Sequence, residues 1–484
     1  MTDHAVTAEA AKDFRYKEVA GAINKLVEQG VLRSGMRAPS LRDMARQHRV
    51  SMTTAQQAYR LLEDKGVLEA RPKSGFYVTP HGAVHLEAPQ VPAFSAEAQN
   101  VSLGTHVADL LVRGADPDYA PLGCAIPSAE LLSAAQLDRY LARIARSNGT
   151  ALNTYTGPQG VMALREEICR RALRWGQVLN PEHVTITNGC TEALGLALRA
   201  LTKRGDTVAI ETPTYFGLLQ IFESLELKVL EVPTDPQHGL QADVLKEVLK
   251  NQHADACLLA SSFNNPLGCT SSEENKRAVI ELLARHKVPL IEDDIYGDIY
   301  FGAERPRPYI ALGDDHADIL YCSSFSKTLA PGYRVGWIAA RNRLSKIIEE
   351  KFALNLCGAA LPQVALAGFL GNGGYDNHLR RMRRVFADNI DRTTRAITRY
   401  FPDGTRISRP MGGFVLWVEL PEHVDCRSLY EEALKEQICF APGDVFSASP
   451  QYKNYLRISC GNIWGKRIEN SIKTLGSLIC SSKS

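Results

Sequence analysis

The sequence predicts an α/β protein: a mostly parallel sheet covered by helices, preceded by a small basic head of three helices and a hairpin. Three observations carry this expectation. From about residue 150, short apolar runs alternate with helical stretches. The first eighty residues have their own helical periodicity and their own charge, 13 Lys/Arg against 9 Asp/Glu, on a chain of 484 residues whose formal charge is only +2. Between the two lies a stretch with Pro80, Pro89 and Pro92 and no periodicity, which reads as a tether. The length corresponds to roughly three domains at about 150 residues each. The expected boundaries are a head over 14–79, a linker over 80–103, a large domain over 104–345 and a smaller C-terminal α/β domain over 346–484.

In the head, Val19, Ile23, Leu26 and Val27 recur at helical spacing over Tyr16–Gln29, and Gly30 follows as a stop. Ser40 is placed to cap a short helix carrying Leu41, Met44 and Ala45. Ser51 can cap a third helix, in which Ala55, Ala58, Tyr59 and Leu62 form the apolar face and Gly66 the end. Val67–Ala70, the turn through Arg71-Pro72-Lys73-Ser74-Gly75, and Phe76–Val78 read as a hairpin with a basic tip. This is the pattern of a winged helix-turn-helix. The third helix is expected to present Thr53, Thr54, Gln57 and Arg60 to base edges, while Arg37, Arg42 and Lys73 suit phosphates. On periodicity alone, a helical domain with a solvated polar face is the alternative.

In the body, Val184–Thr187, Thr207–Ile210, Ala256–Ala260, Val288–Ile291, Ile319–Tyr321 and Val335–Ala339 read as buried strands, with helices such as Thr191–Leu201 and Ser272–His286 between them. Ligands of such sheets sit beyond the C-terminal strand ends. The polar residues fall there: Asn265, Asp293 with Tyr296, and Ser324 and Ser326 with Lys327 and Arg334. The turn Gly189-Cys190-Thr191 opens a helix whose free N–H groups suit a phosphate. Taken singly, each has a plain alternative: Lys327 a solvated charge, Asp293 an N-cap, Asn265 a turn residue, Tyr215 a core aromatic.

The remaining features exclude whole classes. The eleven cysteines form no CxxC pair, which fits reduced thiols better than a disulfide framework. The opening segment lacks the basic-then-apolar pattern of a secretory signal, and no apolar run approaches the ~20 residues that span a bilayer. A cytoplasmic protein without membrane contact is expected. His81 and His85 stand four apart in the tether without further ligands, so no metal site is expected.

The run GMRAPSLRDMARQHRVSMTTAQQAYRLLEDKGVLEARPKSGFYV resembles the DNA-binding domain of the GntR family of bacterial regulators, through Pro39-Ser40-x-Arg42, Ser51-x-Thr53-Thr54, Ala58-Tyr59, Gly66 and Gly75. Met52 stands where many members carry an arginine, so that contact is not carried over. The resemblance implies DNA contacts at Arg42, Ser51, Thr53, Thr54, Ser74 and Gly75. Residues 105–484 resemble fold type I pyridoxal-phosphate enzymes, the aspartate aminotransferase superfamily, through Tyr155 with Gly160 and Leu164-Arg165, Asn265-Pro266-x-Gly268, Asp293-x-x-Tyr296, Ser324-x-Ser326-Lys327, Arg334-x-Gly336 and Arg457. That resemblance implies pyridoxal 5′-phosphate linked to Lys327, with Asp293 on the pyridine nitrogen and Asn265 and Tyr296 on the ring oxygen. It further implies Tyr215 on the ring face, and Ser324, Ser326, Arg334 and the Cys190-Thr191 amides on the phosphate. Tyr155 would reach the phosphate of a partner subunit, and Arg457 would hold a substrate carboxylate. Cys190 departs from the small hydroxyl residue usual at that turn.

A GntR head on such a body resembles the MocR group of bacterial regulators. This implies a cytoplasmic homodimer that binds operator DNA and senses an amino compound or pyridoxal phosphate. The alternative is a cytosolic aminotransferase acting on an amino acid, and a third possibility is both activities together.

Overall fold

The computed structural model describes residues 3–28, 31–32, 36–64, 67–71, 75–78, 86–92, 97–102, 106–132, 134–147, 153–314 and 317–482. The chain divides into two units, Met1–Leu86 and Glu87–Ser484.

In the first unit the capping residues act as expected. Ser40 Oγ accepts from the Asp43 amide at 3.2 Å and starts the helix Leu41–Gln47. Ser51 Oγ accepts from the Thr54 amide at 3.1 Å at the start of the helix Met52–Asp64. Ala55, Ala58, Tyr59 and Leu62 are buried. All but Ala55 join a core with Val19 and Ile23 from the first helix, Asp3–Glu28, and Leu68 and Val78 from the hairpin. Tyr59 ties these layers together: its hydroxyl donates to the Pro39 carbonyl at 2.5 Å, and its ring meets Phe76 edge-on at 5.0 Å. The antiparallel strands Leu68–Arg71 and Gly75–Val78 form the hairpin, pairing Leu68 with Val78 and Arg71 with Gly75.

The second unit is built on an eight-stranded sheet in the order 99–100, 228–233, 207–212, 256–260, 290–293, 319–324, 336–339, 184–187. Strands 228–233 through 319–324 are parallel, whereas 336–339 and the short edge 99–100 are antiparallel to their neighbours. Period-two alternation sends Val208 and Ile210 to a core shared with the helix Cys190–Leu201. It sends Ala209 to the opposite face, against Leu245 of helix Ala242–Asn251 and Val279 of helix Glu273–His286. The parallel strands need crossover connections, and these helices, which cover both faces of the sheet, supply them.

A smaller antiparallel sheet follows, ordered 406–407, 415–419, 455–459, 441–442, together with the helices Gly374–Tyr400, Cys426–Lys435 and Lys466–Ser481. Two expectations about boundaries change here. Residues 87–92, read as tether, pack on this small sheet: the Ile407 amide donates to the Glu87 carbonyl at 2.9 Å, and the Gln90 amide to Glu419 at 2.7 Å. Gln99 and Asn100 add the edge strand to the large sheet. Backbone groups lying on a sheet need partners, and pairing supplies them without any side-chain periodicity. Residues 120–128, assigned by sequence to the large domain, also lie with the small one. Ala120–Pro121 pairs with Ile438–Cys439, the Ser459 amide donates to Leu122, and the Ser128 amide donates to Gly461.

Candidate functional site

The parallel register sets Ala260, Asp293 and Cys322 side by side at the C-terminal ends of three neighbouring strands. A cavity of about 730 Å³, its open mouth included, lies beyond them. Its walls include Cys190, Thr191, Tyr215, Asn265, Asp293, Tyr296 and Lys327, so seven of the residues singled out from sequence converge although nearly 140 positions separate the first from the last.

Lys327 Nζ donates to the Ala125 carbonyl at 2.6 Å. Burial, then the Arg457 charge, bring its ammonium down to about 8, against the opposing pull of Cys124 and Asp293. A neutral amine is therefore accessible near neutral pH. Asp293 has the opposite shift: burial raises it to about 6, opposed by the Cys190 thiol, which donates to Asp293 Oδ1 at 3.5 Å. Burial also raises the Cys190 thiol well above its usual range, so the thiol stays protonated and able to donate.

Gly189 caps the helix Cys190–Leu201 with φ +86°, and a Cβ there would strike the Arg334 guanidinium. Arg334 Nη2 donates to the Asn188 carbonyl at 3.1 Å and Nη1 reaches Ser326 Oγ at 3.4 Å. Ser324 Oγ accepts from the Ser326 amide at 3.2 Å. A guanidinium, two hydroxyls and the start of a helix are thus gathered in one place, a combination suited to an anion.

Arg457 lies on the central strand Tyr455–Ser459 of the small sheet and is 0% exposed. Nη1 donates to Asn265 Oδ1 at 3.1 Å, Nη2 bonds the Gly123 carbonyl, and Nε has no partner. No carboxylate pairs with it among the described residues. Burial lowers its pKa, as expected for a buried cation lacking a counter-charge.

Other residues stand differently. The Tyr155 side chain is 85% exposed and forms no part of this cavity. On the head, Ser51, Thr53, Gln57, Arg60, Arg37 and Arg42 are exposed or half-buried, open to solvent as expected. Thr54 is not: it is 6% exposed, with Oγ1 2.8 Å from Ser51 Oγ. The reason is helical geometry, since Thr54 precedes Ala58 by four residues and shares its inward face. Arg37 lies against the wing, its guanidinium 3.3 Å from the point a Cβ of Gly75 would occupy. Lys73 and Ser74, like His81 and His85, lie outside the described residues.

Sequence reasoning missed Glu211, Thr214, Ser262 and Asn264, which also line the cavity. Glu211 accepts from the Ala260 amide at 2.8 Å, and burial raises it to about 7. Its placement in Glu211-Thr-Pro-Thr-Tyr215, directly before an expected site tyrosine, was the available signal. The Gly123 and Ala125 carbonyls carried none, because backbone acceptors have no residue signature.

The fold and the strand-end site define the class: a fold type I pyridoxal-phosphate protein carrying a helix-turn-helix head. Residues 127–475 match the family Aminotransferase class I and II, and residues 15–78 match the bacterial regulatory proteins of the gntR family. The chain is 38% identical over 466 residues to the uncharacterized HTH-type transcriptional regulator YdcR of Escherichia coli, covering 96% of this chain and 99% of that one. It is 36% identical to a second such regulator of that organism, YjiR, over 96% of this chain and 98% of that one. Among solved structures it is similar to LysN, the alpha-aminoadipate aminotransferase of Thermus thermophilus complexed with N-(5′-phosphopyridoxyl)-L-leucine. That likeness has a TM-score of 0.72 at 29% identity, covering 77% of this chain and 94% of that one. The chain belongs to the MocR-type GntR regulators, a helix-turn-helix head fused to an aminotransferase class I and II body, and its cofactor is pyridoxal 5′-phosphate.

Proposed function

We propose that this pyridoxal-phosphate-dependent transcriptional regulator senses an amino-acid-like effector in the strand-end cavity and passes that occupancy to its DNA-binding head. The observation that carries this reading is Arg457, fully buried, without a carboxylate partner among the described residues, and bonded to the cavity residue Asn265. A buried guanidinium with an unused Nε–H fits an effector carboxylate, while Lys327 on the cavity wall supplies an exchangeable amine.

The cofactor supplies an aldehyde and an electron-accepting ring when bound. Around it, Asp293 would keep the pyridine nitrogen protonated, Asn265 and Tyr296 would bond the ring oxygen, and Tyr215 would cover the ring face. Ser324, Ser326, Arg334 and the Gly189-Cys190-Thr191 turn would hold the phosphate. In the head, Arg37, Arg42, Lys73, Ser74 and Gly75 contact the DNA backbone, while Ser51, Thr53 and Gln57 set the helix on its site. Thr54 supports that helix from inside. The protein works as a cytoplasmic homodimer on double-stranded operator DNA, with the exposed Tyr155 completing the partner's phosphate site.

A second reading is transamination of an amino acid, favoured by a Lys327 amine that can be neutral near pH 8. One experiment tests both. Operator binding is titrated with candidate amines and with pyridoxal phosphate, using wild type, Lys327→Ala and Arg457→Ala, while keto-acid production is followed. Amine-dependent DNA binding that needs Arg457 supports the sensor reading. A response to the cofactor alone, indifferent to Arg457, makes pyridoxal phosphate itself the signal. Turnover without any effect on DNA leaves the enzyme.

A further inference from the structure

The body contains a second large concavity, about 1190 Å³ with its open mouth included, that the strand-end site does not use. Its described lining holds six arginines against three acids, Asp298, Glu304 and Asp376. Four of the arginines are already neutralised. Arg171 and Arg174 pair with Asp376, Arg305 pairs with Asp294 and Asp298, and Arg307 lies 3.8 Å from Glu273.

The other two stand farther from carboxylates, and Arg383 acts on Asp298 only at longer range than an ion pair. Arg380 and Arg383, three apart on the helix Gly374–Tyr400, form no ion pair among the described residues. Arg380 bonds the neutral Asn377 side chain. Arg383 donates Nε to the Asp298 backbone carbonyl at 2.8 Å and lies 3.6 Å over the Tyr300 ring, which leaves both its Nη groups available. Nearby, Arg307 Nε is buried without a partner. Gly176, with φ +84°, packs close to it: a Cβ there would stand 3.2 Å from Arg307 Nε. Guanidinium donors left unused on a concave, partly desolvated wall concentrate positive potential there.

We propose that this concavity is a binding site for a small multivalent oxyanion of the phosphate-ester or polyphosphate class, held chiefly by Arg380 and Arg383 with Arg307 behind them. Planar guanidinium groups pair bidentately with phosphate oxygens, and two of them three apart on one helix face grip two such groups together. The arginines line a recess, with Arg305 and Arg171 nearly buried in its floor. That shape suits a small ligand and not the convex backbone of a duplex.

The test uses the full chain saturated with pyridoxal phosphate, so that the Ser324–Arg334 phosphate cluster is filled. Inorganic pyrophosphate is titrated calorimetrically at constant ionic strength. One saturable site per chain is expected, weakened at least about tenfold in the Arg380→Ala/Arg383→Ala double variant. Arg380→Ala alone leaves Arg383 on its ring and carbonyl; it should weaken binding about threefold with an unchanged cofactor spectrum. Arg42→Ala in the head should leave it unaltered. The proposal is overturned by an absence of saturable binding, by binding that the double variant leaves unchanged, or by binding lost instead through Arg42→Ala. It is equally overturned if the double variant weakens operator DNA binding while pyrophosphate never binds, since the arginines would then serve the DNA backbone.

Discussion

Arg42 on the head and Arg457 in the body carry the same guanidinium and are used in opposite ways. Arg42 stands exposed on a short helix, where salt screens it and its partner arrives from solution. Arg457 is sealed between Asn265 and the Gly123 carbonyl, and desolvation presses on its charge. The exposed one costs little to fold and gains from a polyanion in proportion to low salt. The buried one is costly to fold, and on the proposed reading a ligand that brings a negative charge to it offsets that cost. The first unit is thus suited to tuning by ionic strength, the second by chemistry.

The largest effect expected is complete. Lys327→Ala should abolish the borohydride-reducible visible absorption of the purified protein while leaving its far-UV circular dichroism intact; a reducible chromophore in that variant would place the covalent link elsewhere. Next, Arg457→Ala should weaken any carboxylate-bearing effector by about 2–5 kcal/mol while DNA affinity without effector stays at the wild-type level. A variant as responsive as wild type would show that the buried guanidinium is not the carboxylate anchor.

The pH dependence sharpens the same contrast. Lys327 is lowered to about 8, so its amine is protonated below that pH and neutral above it. The rate at which apo-protein captures the cofactor, followed by absorbance, should rise about tenfold per pH unit up to about 8 and then level off. Arg457→Ala removes one cause of the depression and should move that break upward. A flat profile between about pH 6 and 8 would contradict the assignment.

On the head, Gln57→Ala should cost about 1–3 kcal/mol at one operator position and relax choice there. Arg42→Ala should instead weaken all sequences alike and lower the salt slope by about one. The smallest effect belongs to Ser51→Ala: loss of the bond to the Thr54 amide should destabilise the head by about 1 kcal/mol in a denaturation curve. Because Thr54 is turned inward, Thr54→Ala should behave as a stability variant and leave sequence choice unchanged.

The sequence by itself determined whatever rests on local geometry. Ser40 and Ser51 cap their helices because a cap needs only its own next three residues. The strands 184–187 and 256–260 fall where their apolar runs lie, and the polar residues of the cavity follow directly at strand ends. Tertiary structure alone decided the rest. The edge strand Gln99–Asn100 and the docked residues 87–92 make their bonds through backbone groups that any sequence possesses. The Ala125 and Gly123 carbonyls reach Lys327 and Arg457 across 202 and 334 positions of chain, a proximity no local pattern encodes. Thr54 differs from Thr53 only by the roughly hundred-degree turn between neighbouring helical residues, and which of them faces the core depends on what packs beneath. Residue type names the chemistry a side chain can perform, but burial, which sets its charge and its partners, is a property of the assembled fold.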